Sequence, residues 1–474
     1  VDCSVFMRYT YLLLILSFLS CTNHTEDKET YVGGRIVNPN TNYVTLKHND
    51  DIIDTIALDS NNNFGFRFSI DKESVYTFKH HPESQSMYLK PGDSSVLRVN
   101  TMAFDESLSF DGDSSEENNF LINMFLLNEE DNDLILSYYR ISPDAFTKKT
   151  DSLRALRLAK FNTLESKSNF SPYFKNIALS TINYEHYDMR ERYAFLIRKY
   201  IPVKFKEFPK DYFSYREDVN FNDSDLVSNF SYMRFLDNYL KNYSIEVCEP
   251  SNRECFDLND HKNLKRRLNL VHELFENDYL KTNFFNRLIR REIVFSQTKA
   301  QLEETLSIIQ KFDRPTLDEE ELHQLTAIQS QYLIGSSLKE ARFKSTSSDT
   351  LSFKSLAQGQ PVVLYTWSAL SLEAKKSNLK KIDELRDKYP KVKFLSINLD
   401  FQNGALWQNA LKQLDFKYST EFQIISDAPF SKYSFFRNYL NKVYVVDQSF
   451  TITDNSLNLN DPKLENHILS LLNR

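Results

Sequence analysis

The sequence predicts a multi-domain chain: an all-β, sandwich-like N-terminal domain, an α-helical middle domain and a C-terminal α/β domain. Three observations carry this. The chain has 474 residues, more than one ordinary domain holds. Its eight glycines lie at the two ends: Gly33, Gly34, Gly65, Gly92 and Gly112, then Gly335, Gly359 and Gly404, with none between. Turn-rich β folds need glycine where φ is positive, whereas helical regions do not. Finally, the apolar pattern changes along the chain, from short alternating runs to three- and four-residue spacing, and then to buried runs alternating with amphipathic helices.

Composition excludes several function classes. A net charge of −7 offers no basic surface to nucleic acid. The glycine positions cannot build G-x-G-x-x-G or G-x-x-x-x-G-K-[ST], so the glycine-loop routes to nucleotides are absent and no cofactor is expected.

Residues 1–20 read as a signal peptide. Met7-Arg8 opens an apolar run over 9–20 containing Leu12-Leu13-Leu14-Ile15-Leu16. The run is too short to span a membrane, and residues 1–6 are expected to precede the true start. It closes on Phe18-Leu19-Ser20-Cys21, and a polar linker follows over 21–30. These residues resemble the lipobox of bacterial lipoproteins. Ser20 and Cys21 fit that pattern, while Phe18 and Leu19 depart from it. The resemblance implies that Cys21 is lipidated and anchors the mature chain to a membrane of the cell envelope, facing the periplasm, with the leaflet left open.

Of the four cysteines, Cys3 falls in the discarded segment, which leaves Cys248 and Cys255 as thiols of the mature chain. They stand in Cys-Glu-Pro-Ser-Asn-Arg-Glu-Cys, and in an oxidising envelope such an isolated pair is expected to form a disulfide. Zinc is the weaker reading. No second Cys pair exists, and His261 and His272 lack the His-x₃₋₅-His spacing.

Residues 31–114 form the predicted β-domain. Alternating runs recur at 31–37, 43–47, 52–58, 64–68, 75–78, 87–89, 96–99 and 108–110, parted by turn residues such as Pro91-Gly92-Asp93. The order Asp54-x-x-x-Leu58-Asp59, Asn63-Phe64-x-Phe66, Tyr88-Leu89-x-Pro91-Gly92-Asp93 and Phe110-x-Gly112 resembles the small β-domain of unknown function that precedes thioredoxin-like modules in Bacteroidetes envelope proteins. These positions speak to fold, not chemistry. His80-His81 reads as a strand end rather than a metal site.

Residues 115–332 read as helical, with Leu153-x-x-Leu156-x-Leu158, Leu264-x-x-x-Leu268-x-x-Val271-x-x-Leu274 and Leu302-x-x-x-Leu306-x-x-Ile309 marking apolar faces. Dense aromatics (Tyr212-Phe213-x-Tyr215, Phe284-Phe285) read as core, with a peptide-binding groove the minority reading. The basic runs Lys265-Arg266-Arg267 and 287–291 read as solvated helix faces.

Residues 333–474 carry the functional argument. Strands are expected at 362–365, 392–399, 422–425 and 443–446, the last in a hairpin with 450–453 across 447–449. Helices are expected at 370–389, 405–414 and 464–472. This order is the thioredoxin arrangement. Leu351-x-x-x-x-Leu356-x-x-Gly359-x-x-Val362-Val363-Leu364-Tyr365-x-Trp367, then Ile397-x-Leu399-Asp400 with Trp407, and the run 443–447, resemble TlpA-like thioredoxins, the membrane-anchored disulfide reductases of bacterial envelopes. In that family W-x-x-W-C-x-x-C places a thiolate at a helix N-terminus, where the N–H groups lower its pKa, and a second thiol resolves the mixed disulfide. Counting from Trp367 puts the two cysteines at Ser371 and Ala374, and no Cys occurs from 256 to 474. The family's cis-proline falls at Asn441; a non-proline cis bond costs about 3 kcal/mol, so Asn441 is expected to be trans. Ser371 has no evident base, since His323 and His467 are tied to it by no motif, and it reads as a helix N-cap.

The resulting expectation is a redox-degenerate, thioredoxin-like envelope lipoprotein. It would have a non-enzymatic binding or scaffold role, with a protein or peptide partner in the envelope and no bound metal. The alternative is a TlpA-like thiol-disulfide oxidoreductase acting through Cys248 and Cys255. A thioredoxin fold does not by itself decide between them.

Overall fold

The computed structural model describes residues 29–49, 51–258, 260–312, 319–369, 372–400, 404–413, 420–425, 439–461 and 463–473. The expected signal peptide, Cys21 and most of the linker lie outside these residues. Packing divides the chain into two compact units. One runs to Tyr193 and includes Glu207–Tyr212 and Ser224–Leu236; the other comprises Ala194–Lys206, Phe213–Asp223 and Asp237–Arg474.

The first unit begins with β1 (Thr30–Val37), β2 (Tyr43–His48), β3 (Asp51–Ala57), β4 (Asn63–Phe68), β5 (Ser74–His80), β6 (Glu83–Leu89), β7 (Ser94–Asn100) and β8 (Ser109–Gly112). Each of the eight alternating runs of the sequence falls on one of these strands. They form two four-stranded sheets, β4-β1-β7-β8 and β3-β2-β5-β6. Alternate residues meet in one core: Val32 and Ile36 of β1, Leu97 and Val99 of β7, Leu46 of β2 and Phe78 of β5. The parallel β1–β7 pair is close enough that a Cβ at Gly34 would collide with the Leu97 carbonyl. His80 ends β5, as expected. Its Nε2 accepts from the Asn40 amide at 3.0 Å and its Nδ1 lies 3.0 Å from the Tyr43 carbonyl, so both ring nitrogens are engaged.

Helices follow: α1 (Ser115–Glu130), α2 (Pro143–Glu165), α3 (Pro172–Tyr200), α4 (Phe230–Ser244), α5 (His261–Leu274), α6 (Asp278–Phe295), α7 (Lys299–Ile309) and α8 (Glu319–Gln331). Leu264, Leu268 and Val271 are buried as their spacing predicts. The aromatics are core: Tyr212, Tyr215, Phe284 and Phe285 are all buried. The basic runs are solvated only in part: Lys265, Arg287 and Arg291 are exposed, as expected, whereas Arg267 and Arg290 are drawn into the packing. Arg267 is 2% exposed, with Nε donating to Asn263 Oδ1 at 2.8 Å and Nη2 to the Leu258 carbonyl at 2.6 Å. Arg290 makes two bonds to Glu321, at 2.7 and 2.8 Å. Arg267 and Arg290 find these partners within the helical packing, which a count of basic residues cannot reveal. No helix among the described residues is long and apolar enough to cross a membrane.

The second unit ends in a seven-stranded sheet. A hairpin, β9 (Arg342–Ser345) and β10 (Thr350–Ser352), precedes β11 (Val362–Trp367), α9 (Leu372–Lys388), β12 (Lys393–Asn398), α10 (Gly404–Gln413), β13 (Glu421–Ile424), β14 (Val443–Val446), β15 (Ile452–Leu457) and α11 (Leu464–Leu472). The order is β10-β9-β13-β12-β11-β14-β15; β11, β12 and β13 are parallel, and β14 is antiparallel to β11. This is the thioredoxin-like arrangement. Val363 and Tyr365 of β11 pack with Ile382 and Leu385 of α9 and Ile468 of α11. Val362 and Leu364 face the opposite core with Ile397, Tyr444 and Ile452.

One boundary differs from the expected hairpin. Asp447 Oδ1 accepts from the amides of Ser449 and Thr451, each at 2.9 Å, and Phe450 has a φ of 69°. This side-chain-held turn occupies 447–451, so β15 starts at Ile452 rather than at 450.

Candidate functional site

The site is the carboxyl end of β11, where the resemblance implies a pair of thiols. Ser371 lies outside the described residues. Ala374 falls in α9, which begins at Leu372. No cysteine stands anywhere in this region of the sequence. What the structure places there is a buried polar clasp. Asp400, 1% exposed, accepts from Ser368 Oγ at 2.7 Å and from the Ala369 amide at 2.6 Å. Asn398 Nδ2 donates to the same carboxylate at 2.8 Å, and Gln423 Nε2 donates to the Asp400 carbonyl at 2.8 Å. The ends of β11, β12 and β13 are thereby tied together around one carboxylate.

Opposite this end, Asn441 adopts a φ of 59°, the left-handed region. Its amide donates to the Thr366 carbonyl at 3.2 Å. A proline ring fixes φ near −65° and has no N–H, so this backbone has no place for the family's proline. The loop is locked further by Thr366, whose Oγ1 bonds the Tyr439 carbonyl and accepts from the Lys442 amide at 2.9 Å.

Two lysines that the sequence did not single out are buried beside these positions. Lys442, 1% exposed, donates from Nζ to the Val294 carbonyl at 2.5 Å, at the carboxyl end of α6. The rings of Phe295, Tyr439 and Tyr444 lie 5.4, 5.5 and 5.2 Å from that nitrogen. Burial pushes the Lys442 ammonium down to about 7, with Asp454 opposing. A cation at a helix carboxyl end meets the negative pole of the dipole. Lys375, also 1% exposed, reaches Ser396 Oγ at 2.6 Å, Tyr365 Oη at 3.2 Å and Glu421 Oε1 at 3.5 Å, over the Tyr365 and Trp367 rings at 4.5 and 4.2 Å. Burial pushes Lys375 down to about 7 and Glu421 up, each opposed by the other's charge. Neither lysine was legible as special: Lys375 stands in a lysine-rich amphipathic helix, and Lys442 directly follows a loop.

The second unit also contains the Cys248–Cys255 disulfide, with Cα atoms 5.6 Å apart. Asn252 caps the short helix Arg253–Phe256 that presents Cys255. Arg266 of α5 lies over the bridge, with Nη2 3.8 Å from Cys248 Sγ, 3.6 Å from Cys255 Sγ and 3.3 Å from the Cys255 carbonyl. The sequence paired the cysteines correctly but gave Arg266 to solvent. Removing the bridge by Cys248→Ser with Cys255→Ser should cost about 2–3 kcal/mol in the chain-entropy account. Urea denaturation measures this, and an unchanged midpoint with an unchanged slope would refute it.

Sheet order and site define a thioredoxin-like region, close to 30% of the chain, whose thiol positions carry no sulfur. Neither a family model nor a curated protein matches the chain. Solved structures do. The thioredoxin domain of a thiol-disulfide oxidoreductase from Bacteroides vulgatus is 15% identical, the match covering 29% of this chain and 96% of that one, with a TM-score of 0.23. A thiol-disulfide oxidoreductase from Bacteroides fragilis is 17% identical, over 28% of this chain and 98% of that one, with a TM-score of 0.23.

Proposed function

We propose that this protein is a non-enzymatic binding or scaffold protein of the cell envelope, anchored through a lipid on Cys21, with a thioredoxin-like region that no longer exchanges disulfides. One observation carries the reading: no cysteine occurs from residue 256 to the end of the chain, so the fold has no thiol at the end of β11 to attack a disulfide. Asn441 in a left-handed conformation and the buried Lys442 beside it support the same reading. They replace a substrate-presenting loop with one bonded to its own sheet. The partner is a protein or peptide of the envelope. The test is insulin reduction with dithiothreitol as electron donor. The purified protein should leave the uncatalysed rate unchanged, and turnover at a thioredoxin's rate would end the proposal.

A second reading, thiol–disulfide exchange through Cys248 and Cys255, is favoured by the Arg266 guanidinium at both sulfurs, a placement that would stabilise a thiolate after reduction. The two readings part at the Cys248→Ser, Cys255→Ser variant. Under the scaffold reading it is indistinguishable from wild type in the insulin assay.

The lipid anchor has its own check. Acyl chains contribute about 0.8 kcal/mol per buried CH₂, so two or more hold a chain stably at a bilayer. Mass spectrometry of the mature amino terminus from membranes should find Cys21 as the first residue, carrying acyl groups. An unmodified terminus at another residue refutes it.

A further inference from the structure

The Cys248–Cys255 bridge closes its loop against α5, and one cation stands over it. Arg266 places Nη2 3.6 Å from Cys255 Sγ, 3.8 Å from Cys248 Sγ and 3.3 Å from the Cys255 carbonyl. Among the described residues no carboxylate lies within salt-bridge range of this guanidinium; Asp260, the N-cap of α5, acts on it through charge alone. Its Nε is buried with no acceptor. A guanidinium in such a place is ordinarily answered by an anion. While the two sulfurs are bonded to each other that anion does not exist, and a thiolate would supply it. We infer that Cys248–Cys255 is a reversible redox switch, opened by a low-molecular-weight thiol and held open by Arg266 pairing with the Cys255 thiolate.

The chemistry balances in two exchanges. A thiolate of the small thiol attacks Cys248 Sγ; a mixed disulfide forms, the protein S–S bond breaks, and Cys255 leaves with the electron pair. A second small thiolate attacks the small-molecule sulfur of that mixed disulfide. It releases the oxidised small disulfide and the Cys248 thiolate, which takes a proton from water. Two thiols are oxidised and one protein disulfide is reduced. The contacts assign the roles. Cys248 Sγ lies 3.1 Å from the Cys255 carbonyl, where a Cys248 thiol can donate its proton. Cys255 Sγ is the sulfur nearer Arg266 and keeps the charge. A guanidinium beside a thiol lowers its pKa below the ordinary value of about 8.5, and stabilising the thiolate favours the reduced pair.

The loop can open without leaving its place. Asn252 Oδ1 accepts from the Cys255 amide at 3.3 Å, Arg253 Nη1 donates to the Lys199 carbonyl at 2.9 Å, and Phe256 is buried. These ties remain when the S–S bond is gone. Cys248 and Cys255 are half-buried rather than sealed in the core. Other charges nearby have their own settings. Glu246 is held by Arg198 at 3.1 Å and by Arg216 at 3.0 Å, while Glu249 and Glu254 of the loop and Lys262 and Lys265 of α5 are exposed. The switch needs one round of reduction and no turnover of a substrate, so it stands apart from both functional readings.

Graded ratios of dithiothreitol to its cyclic disulfide poise the purified protein, and acid quenching, alkylation and mass spectrometry read the reduced fraction. At about pH 8.5, Arg266→Met should need a roughly ten-fold higher ratio than wild type for half-reduction, the equivalent of one unit on the thiolate pKa. The gap should close toward about pH 6, where both sulfurs are protonated in either protein. An arginine with a merely structural role would shift every pH alike. Arg266→Lys, which keeps the charge, should fall between the two. A second measurement needs no variant and holds the test if Arg266→Met fails to fold, as circular dichroism will show. In reduced wild type, Cys255 should react with iodoacetamide as a thiolate at lower pH than Cys248. Equal ratios for wild type and folded Arg266→Met at about pH 8.5, a gap that does not change with pH, or a Cys255 no more reactive than Cys248 would overturn the inference. An insulin assay of either outcome leaves it standing, since that assay reads turnover and this titration reads the equilibrium of the bridge.

Discussion

Ser371→Cys together with Ala374→Cys should give this protein a slow insulin-reductase activity where wild type is expected to show none. The two positions flank the start of α9 at Leu372, directly after the buried end of β11. A thiol at a helix N-terminus in a Cys-x-x-Cys pair has its pKa lowered toward about 7, so a useful fraction is thiolate at neutral pH. The installed pair should therefore oxidise readily to a disulfide and be reduced by dithiothreitol. The rate should stay well below that of a thioredoxin, because Asn441 is held at a φ of 59° with its amide on Thr366 and cannot present backbone to a substrate as the family's proline does. Adding Asn441→Pro should not repair this. The ring demands a negative φ and removes that N–H, at a cost of about 3 kcal/mol or more. Asn441→Gly, which tolerates the left-handed region, should leave the fold intact. Thiol titration under air decides the placement. Two thiols that persist unpaired in the folded double variant would show that Ser371 and Ala374 are not the lost positions.

Legibility followed how local each signal was. The eight strands of the first unit could be read because alternation and turn residues are written within a few neighbours of each other. The β9–β10 hairpin could not, since Arg342-Phe343-Lys344-Ser345 is mostly polar and is held by pairing with β13, some eighty residues further on. In α2 the helix was legible but its face was not. Leu156 is 68% exposed, whereas the buried stripe is Phe146, Thr150, Arg157 and Phe161. Arg157 enters that stripe because its guanidinium meets Asp131, a pairing hydrophobic periodicity does not register. The site shows the same division. The absence of cysteine after residue 255 is a sequence fact, but the Asp400 clasp, Arg266 on the disulfide and the two buried lysines depend on partners outside their own local runs.

Those lysines set the stability of the second unit against pH. Lys375 and Lys442 are each pushed down to about 7 by burial, while an unfolded lysine titrates near 10.4. Between these values the unfolded chain binds more protons than the folded one, so stability must rise with pH across the window. The contribution is fully present above the unfolded value and is lost as pH falls toward about 7; below that, these two groups add no further slope. Each contributes up to ~1.4 kcal/mol per pH unit near the middle of the window. Histidines held low by burial, such as His186 at about 4, act only below this range. Tyr365 and Tyr444, raised by burial, act with the opposite sign only as their unfolded value near 10 is approached. Between about pH 7.5 and about pH 9.5 urea denaturation therefore reads chiefly the lysines, with Arg267, lowered by burial to about 10, adding to the slope at the upper edge and Glu292, raised by burial to about 7, opposing it at the lower. Wild type should gain stability steadily over that span. Lys442→Met should lose about half of the slope whatever it does to the absolute stability, because Lys375 beside Glu421 still titrates. A Lys375→Met, Glu421→Leu variant, which removes both members of the pair, should also lose about half. A wild-type slope near zero, or one that Lys442→Met leaves untouched, would mean that Lys442 keeps its proton on the Val294 carbonyl throughout, with the α6 dipole outweighing its burial.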